Sequence, residues 1–88
     1  MTFAITYTSR ARRALANVLP EAVAAACLEF IGGALADDPH RVGKPLRAPL
    51  AGLHSARRGE FRVIYRIDDE QVTVLIVTID HRRDVYRS

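Results

Sequence analysis

A single cysteine, Cys27, is all the thiol chemistry this chain carries. One thiol closes no internal disulfide, so the fold must hold without a covalent staple. Cys27 sits in Ala24-Ala25-Ala26-Cys27-Leu28, far in sequence from any histidine, and reads as a small buried apolar side chain. The opening Met1-Thr2-Phe3-Ala4 lacks a basic start followed by an apolar run. No signal peptide is expected, and the expected location is the cytoplasm. The longest apolar stretch, near residues 22–35, is broken by Glu29, Gly32 and Gly33 and is too short to span a bilayer, so no membrane association is expected. There is no internal repeat and no low-complexity run. With 26% charged residues, the composition argues against disorder.

What is present is a core and an uneven distribution of charge. The 88 residues suffice for one domain, residues 1–88, and not for two. Hydrophobic residues at 49% supply a core, although a domain this small buries a modest share of its surface and keeps a thin stability margin. The net charge of +3 says little by itself. Its placement says more. Arg41, Lys44, Arg47, Arg57, Arg58 and Arg62 face only Glu60 in the middle of the chain. From Val63 to Asp80, Arg66 meets Asp68, Asp69, Glu70 and Asp80. Positive charge then returns at Arg82, Arg83 and Arg87.

Periodicity organises the rest. Phe3 to Tyr7 alternates and is rich in strand formers. Thr8 and Ser9 are N-cap types ahead of a helix from Ser9 to Ala16, with Leu15, Val18 and Leu19 expected inward. Pro20 and Glu21 suit the start of a second helix, Ala22 to Ile31, with Val23, Cys27, Phe30 and Ile31 on one stripe. Gly32-Gly33 should weaken or end it, although Ala34-Leu35 can add a turn. Asp37-Asp38-Pro39 signals a turn. Pro39 to Gly52, with its prolines and glycines, reads as an extended connection pinned by Leu46, Leu50 and Leu53. Leu53 to Arg57 reads as a strand and Arg58-Gly59 as a tight connection. Glu60 to Ile67 alternates, with Phe61, Val63, Tyr65 and Ile67 on one face and Glu60, Arg62, Ile64 and Arg66 on the other. Asp68-Asp69-Glu70 is a polar turn. Val72 to Ile79, apolar on both faces, reads as a central strand, and Asp80 to Ser88 as a tail. The expected fold is α+β. An N-terminal strand and a two-helix hairpin precede a three-stranded antiparallel segment, and the helices cover one face of a four-stranded, mostly antiparallel sheet. The other face should carry Arg62 and the tail.

Two stretches carry most of the chemistry. The first is Gly52-Leu53-His54-Ser55-Ala56-Arg57-Arg58-Gly59-Glu60-Phe61-Arg62-Val63-Ile64-Tyr65. The second is Asp80-His81-Arg82-Arg83-Asp84-Val85-Tyr86-Arg87. Upstream lie Asp38-Pro39, Lys44-Pro45-Leu46 and Leu50-Ala51-Gly52. In this order the chain resembles the RelE/ParE toxin superfamily of type II toxin–antitoxin systems, over nearly its whole length. The resemblance implies a RelE-like fold and a RelE-type toxin that cleaves mRNA, usually on the ribosome. It implies no metal and no small-molecule cofactor, and it implies a cognate antitoxin as partner. Arg62 and Arg82 match catalytic arginines and Tyr86 a terminal catalytic tyrosine. His81 falls where several relatives carry a histidine, and Arg57 matches the basic residue before the turn.

These residue types suit the implied reaction. Metal-free RNA cleavage must take a proton from the 2′-hydroxyl, offset the phosphorane's extra charge and protonate the leaving oxygen. Arginine's fork fits phosphate and stays charged. Histidine moves protons near neutral pH, and tyrosine stacks on a base or assists proton transfer. Arg41, Lys44, Arg47, Arg57, Arg58 and Arg83 are expected to contact RNA phosphates. One departure stands out. The family's best-known member has lysines on the strand before the turn, whereas Leu53-His54-Ser55-Ala56 has none. Either a histidine is then the base, His81 ahead of His54, or activity is weak. Two other readings share the same fold: a ParE-type inhibitor of DNA gyrase, and a degenerate relative that only binds an antitoxin.

Overall fold

The computed structural model describes residues 2–81. Strand β1 is Ala4–Tyr7, and Thr8 ends it in extended geometry as the N-cap of helix α1, Ser9–Arg13. The Thr8 hydroxyl accepts from the Ala11 amide at 3.1 Å and donates to the Val77 carbonyl at 2.6 Å, so one side chain caps the helix and ties its start to the sheet. The helix then widens into a π-helix over Ala14–Val18, closed by the Leu19 amide on the Ala14 carbonyl at 2.9 Å. That widening turns Val18 outward, 69% exposed, against the inward expectation.

Helix α2, Glu21–Phe30, follows Pro20. Gly32-Gly33 does end its regular α geometry, and the chain continues as a π-helix over Ile31–Leu35. Ile31 and Leu35 are fully buried there. The connection expected to be extended is partly helical. Pro39 opens a short helix α3, Pro39–Val42, where its missing amide costs nothing. A two-residue strand β2, Lys44–Pro45, then adds a fifth strand to the four expected. Leu50 lies 42% exposed and does not pin this segment to the core.

Strands β3 (His54–Arg58), β4 (Phe61–Asp68) and β5 (Thr73–His81) complete a five-stranded sheet ordered β1-β5-β4-β3-β2. Only β1 and β5 pair in parallel. Strand β5 runs on through Asp80 and His81, beyond the Ile79 boundary expected for it, so these two residues belong to the sheet and not to the tail. The Asp68 carboxylate accepts from the Gln71 amide at 3.0 Å and closes the β4–β5 turn.

The core lies on one face of the sheet. Val63, Tyr65, Val74, Ile76 and Ile79 pack with Ala11, Cys27, Ile31 and Leu35 from the helices, and Phe61 and Ile67 flank them. The Phe61/Val63/Tyr65/Ile67 stripe therefore faces the helices as its alternation predicts. A bulge between Ile64 and Tyr65 keeps that alternation in step with β5. The Tyr65 hydroxyl donates to the Pro39 carbonyl at 2.6 Å, giving a deeply buried polar atom its partner. No helix among the described residues is long and apolar enough to cross a membrane.

Candidate functional site

Register partners share a face of a sheet and successive residues alternate between faces. Two rows of partners therefore form on the face opposite the core. The first is Arg57 of β3, Arg62 of β4 and Asp80 of β5. The second is Lys44 of β2, Ser55 of β3, Ile64 of β4 and Thr78 of β5. Arg66 follows on the same face, four residues after Arg62. Lys44, Arg57 and Arg66 are exposed and Arg62 is half-buried. Arg57 is steadied by its Nε donating to the Gly59 carbonyl at 3.3 Å. Asp80 accepts from the Thr78 hydroxyl at 3.3 Å and lies 3.9 Å from Arg10, whose side chain is 74% exposed. Strands about 4.8 Å apart and residues about 3.3 Å apart place these cations within reach of one short stretch of phosphate backbone.

Other expected site residues lie elsewhere. His81 pairs with Phe61, and their rings meet edge-on with centroids 5.4 Å apart, so His81 belongs to the core side of the sheet and not to the Arg62 face. Arg58 alternates with Arg57 and also faces the helix side. There it lines one hollow with Ala22, Val23, Cys27 and Phe61, and another with Glu29 and Phe30. Arg41 is exposed on α3 and Arg47 in the loop after β2. Arg82, Arg83 and Tyr86 lie outside the described residues. Among the expected site residues, the structure thus brings Arg57, Arg62 and Lys44 together and sets Arg58 and His81 apart.

A separate group forms at the other end of β3. His40 Nε2 lies 2.8 Å from the Asp69 carboxylate. The His54 ring stands edge-on to His40 at 5.9 Å and stacks on Tyr65 at 5.6 Å. Burial holds the His54 pKa below the ordinary histidine value, and His40 adds to that while Asp69 opposes it. Tyr65 is pushed up to about 12 by burial, with a contribution from the Asp38 charge. The Cys27 thiol is raised by burial and partly lowered by Arg58. His40 falls in the connection expected over Pro39 to Gly52 and His54 in the strand expected over Leu53 to Arg57, but nothing in spacing pairs residue 40 with residue 69. Asp80 carries no such signal in the sequence either, because its pairing with Arg62 depends on register. No group of three or more His, Cys, Asp or Glu among the described residues is placed to hold a metal ion.

The family model of the ParE toxin of the type II toxin–antitoxin system parDE matches residues 5–86. The chain belongs to this toxin family. It is 53% identical to a Mycobacterium tuberculosis protein named Toxin RelG over 87 residues, covering 99% of both chains. It is also 53% identical over 83 residues to Toxin RelE of the same organism, covering 94% of this chain and 84% of the relative. Among solved structures, it is similar to a RelBE toxin–antitoxin complex from Mycobacterium tuberculosis, with a TM-score of 0.89, 51% identity and 93% of each chain covered. The expected RelE-like α+β fold and the membership in the RelE/ParE superfamily both hold.

Proposed function

We propose that this RelE-type toxin is a metal-independent endoribonuclease that cleaves mRNA on the ribosome and is held inactive by a cognate antitoxin. The observation that carries the reading is the row of Arg57 and Arg62, with Lys44 beside it, on the sheet face opposite the core. When a 2′-oxygen attacks the neighbouring phosphorus, negative charge grows on the phosphorane oxygens. Guanidinium groups fixed on a strand offset that charge without reorganising at the moment of reaction. Arg62 holds the phosphate and Arg57 steadies the adjoining backbone. Arg82 and Tyr86, beyond β5, act with Arg62 through charge and proton transfer or base stacking. His81 is a proton carrier only if its ring leaves its edge-on contact with Phe61. Arg41, Arg47, Arg58 and Arg83 supply further phosphate contacts. The antitoxin is an acidic, partly disordered segment that folds on the toxin and covers part of the basic surface.

The test is primer extension on cellular mRNA after induction, together with cleavage of ribosome-bound mRNA by purified, antitoxin-free protein. Cuts within translated mRNA support the reading. The match to a ParE family model favours a second one, a gyrase inhibitor. Intact mRNA with inhibited gyrase supercoiling would select it. Intact mRNA with unaffected gyrase, in a chain that still co-purifies with its antitoxin, would indicate a degenerate relative.

A further inference from the structure

Lys44 is the only lysine in a chain with 13 lysine and arginine residues, so every other fixed cation is a guanidinium. Its place in the sheet is equally particular. Strand β2 has two residues, and of these Pro45 pairs with His54 on the core side while Lys44 pairs with Ser55 on the Arg62 face.

The backbone under Lys44 is clamped. The following proline restricts Lys44 to extended geometry, and the Leu46 amide bonds the Leu53 carbonyl at 2.9 Å. On the other side, Gly43 packs so closely that a Cβ there would lie 2.9 Å from the Ser55 carbonyl oxygen and overlap the Tyr65 hydroxyl. Beneath Lys44, Ser55 is only 9% exposed, and its hydroxyl has no hydrogen-bond partner among the described residues. Strand β3 therefore offers no charge in this row, and the long Lys44 chain can lie over Ser55 toward Arg57 and Arg62. Two strand spacings and two residue rises put the Lys44 and Arg62 backbones on the order of 12 Å apart. Two long side chains can meet across that gap on a single phosphate.

We propose that Lys44 is a catalytic residue, its ammonium binding a non-bridging oxygen of the scissile phosphate beside Arg62 and stabilising the phosphorane. This inference rests on the RNA-cleaving reading above. A rigidly seated backbone with a mobile tip suits the role, because an ammonium can turn any of three donors toward an oxygen whose position shifts as the phosphorane forms.

Single-turnover cleavage of ribosome-bound mRNA, measured as a function of toxin concentration, tests it. Lys44→Ala should lower the maximal rate by about 10²-fold, with the half-saturating concentration changed by less than about threefold. Lys44→Arg, which keeps the charge on the same root, should recover most of that rate. Because Lys44 is exposed, both variants should keep the wild-type circular dichroism and melting temperature. A wild-type maximal rate in Lys44→Ala would overturn the proposal while leaving the endonuclease reading standing. So would a loss confined to the half-saturating concentration, or a Lys44→Arg rate no better than that of Lys44→Ala. Failure of the wild-type protein to cleave any mRNA would overturn both.

Discussion

Gly43→Ala offers a sharp test of how the lysine-bearing strand is held. Gly43 has ordinary extended geometry, so alanine meets no backbone penalty there and the whole effect comes from packing. The added methyl would overlap the Tyr65 hydroxyl and come 2.9 Å from the Ser55 carbonyl oxygen and 3.0 Å from Tyr65 Cζ. Neither neighbour yields easily, since Tyr65 is fully buried and bonded to Pro39, and Ser55 belongs to a paired strand. Overpacking of this kind costs about 1–3 kcal/mol. If Tyr65 shifts and loses its bond to Pro39, about 1 kcal/mol more is lost. The total of about 2–4 kcal/mol corresponds to a melting temperature lowered by roughly 10–20 °C in a domain of this size. Urea unfolding and a thermal melt of the antitoxin-free protein measure it. Tyr65→Phe removes the obstructing oxygen, so Gly43→Ala should cost at least about 1 kcal/mol less in that background. Gly32→Ala is the control of opposite sign. Nothing lies within 4 Å of its added Cβ, and alanine is the better helix former by about 1 kcal/mol. A Gly43→Ala protein within about 0.5 kcal/mol of wild type, with an unchanged denaturant slope, would refute this packing account.

Arg62→Ala should reduce cleavage by about 10²–10³-fold without altering the melting temperature by more than a few degrees, because Arg62 lies outside the core cluster; wild-type cleavage would remove it from the site. Arg57→Gln should weaken RNA binding about equally across sequences and reduce the salt slope by about 1, as read from binding isotherms at several salt concentrations. For His54, burial holds the folded-state pKa below the ordinary 6.5, so the unfolded chain takes up a proton more readily. Stability from this group is complete above about pH 6.5 and falls as the pH drops below it. His54→Phe should flatten that acid limb in urea titrations, and an acid limb identical to wild type would exclude His54 as its source.

Much of the fold is legible in the sequence because local chemistry dictates it. Thr8 as a cap, the Phe61-to-Ile67 alternation and the interior position of β5 in the sheet each follow from residues a few positions apart. What escapes is set by tertiary context. A two-residue strand such as Lys44–Pro45 has no periodicity to detect. It exists because the Tyr65–Pro39 hydrogen bond and the Gly43 contact hold that segment against β3. Leu50 looks like an anchor from its composition, yet the turn around it leaves the side chain in solvent. Val18 has the correct helical spacing for burial, but a π-helical turn adds a residue and rotates it away.

The site divides along the same line. Alternation assigns Arg62 to the face opposite Phe61 wherever the strand sits, so that placement is readable from sequence. Whether another residue joins Arg62 depends on register with β5, and a slip of one residue exchanges every partner between faces. The observed register pairs Arg62 with Asp80 and Phe61 with His81. Histidine therefore stands on the apolar side of the sheet, and a carboxylate takes the position beside the arginine. A general base on the Arg62 face cannot be His54 either, because its partner Tyr65 lies on the core stripe. Among the described residues, the side chains in the two rows that carry charge on that face are Lys44, Arg57, Arg62 and Asp80. Charge stabilisation by a preset cluster of cations, more than histidine acid–base catalysis, is what this face is equipped to supply.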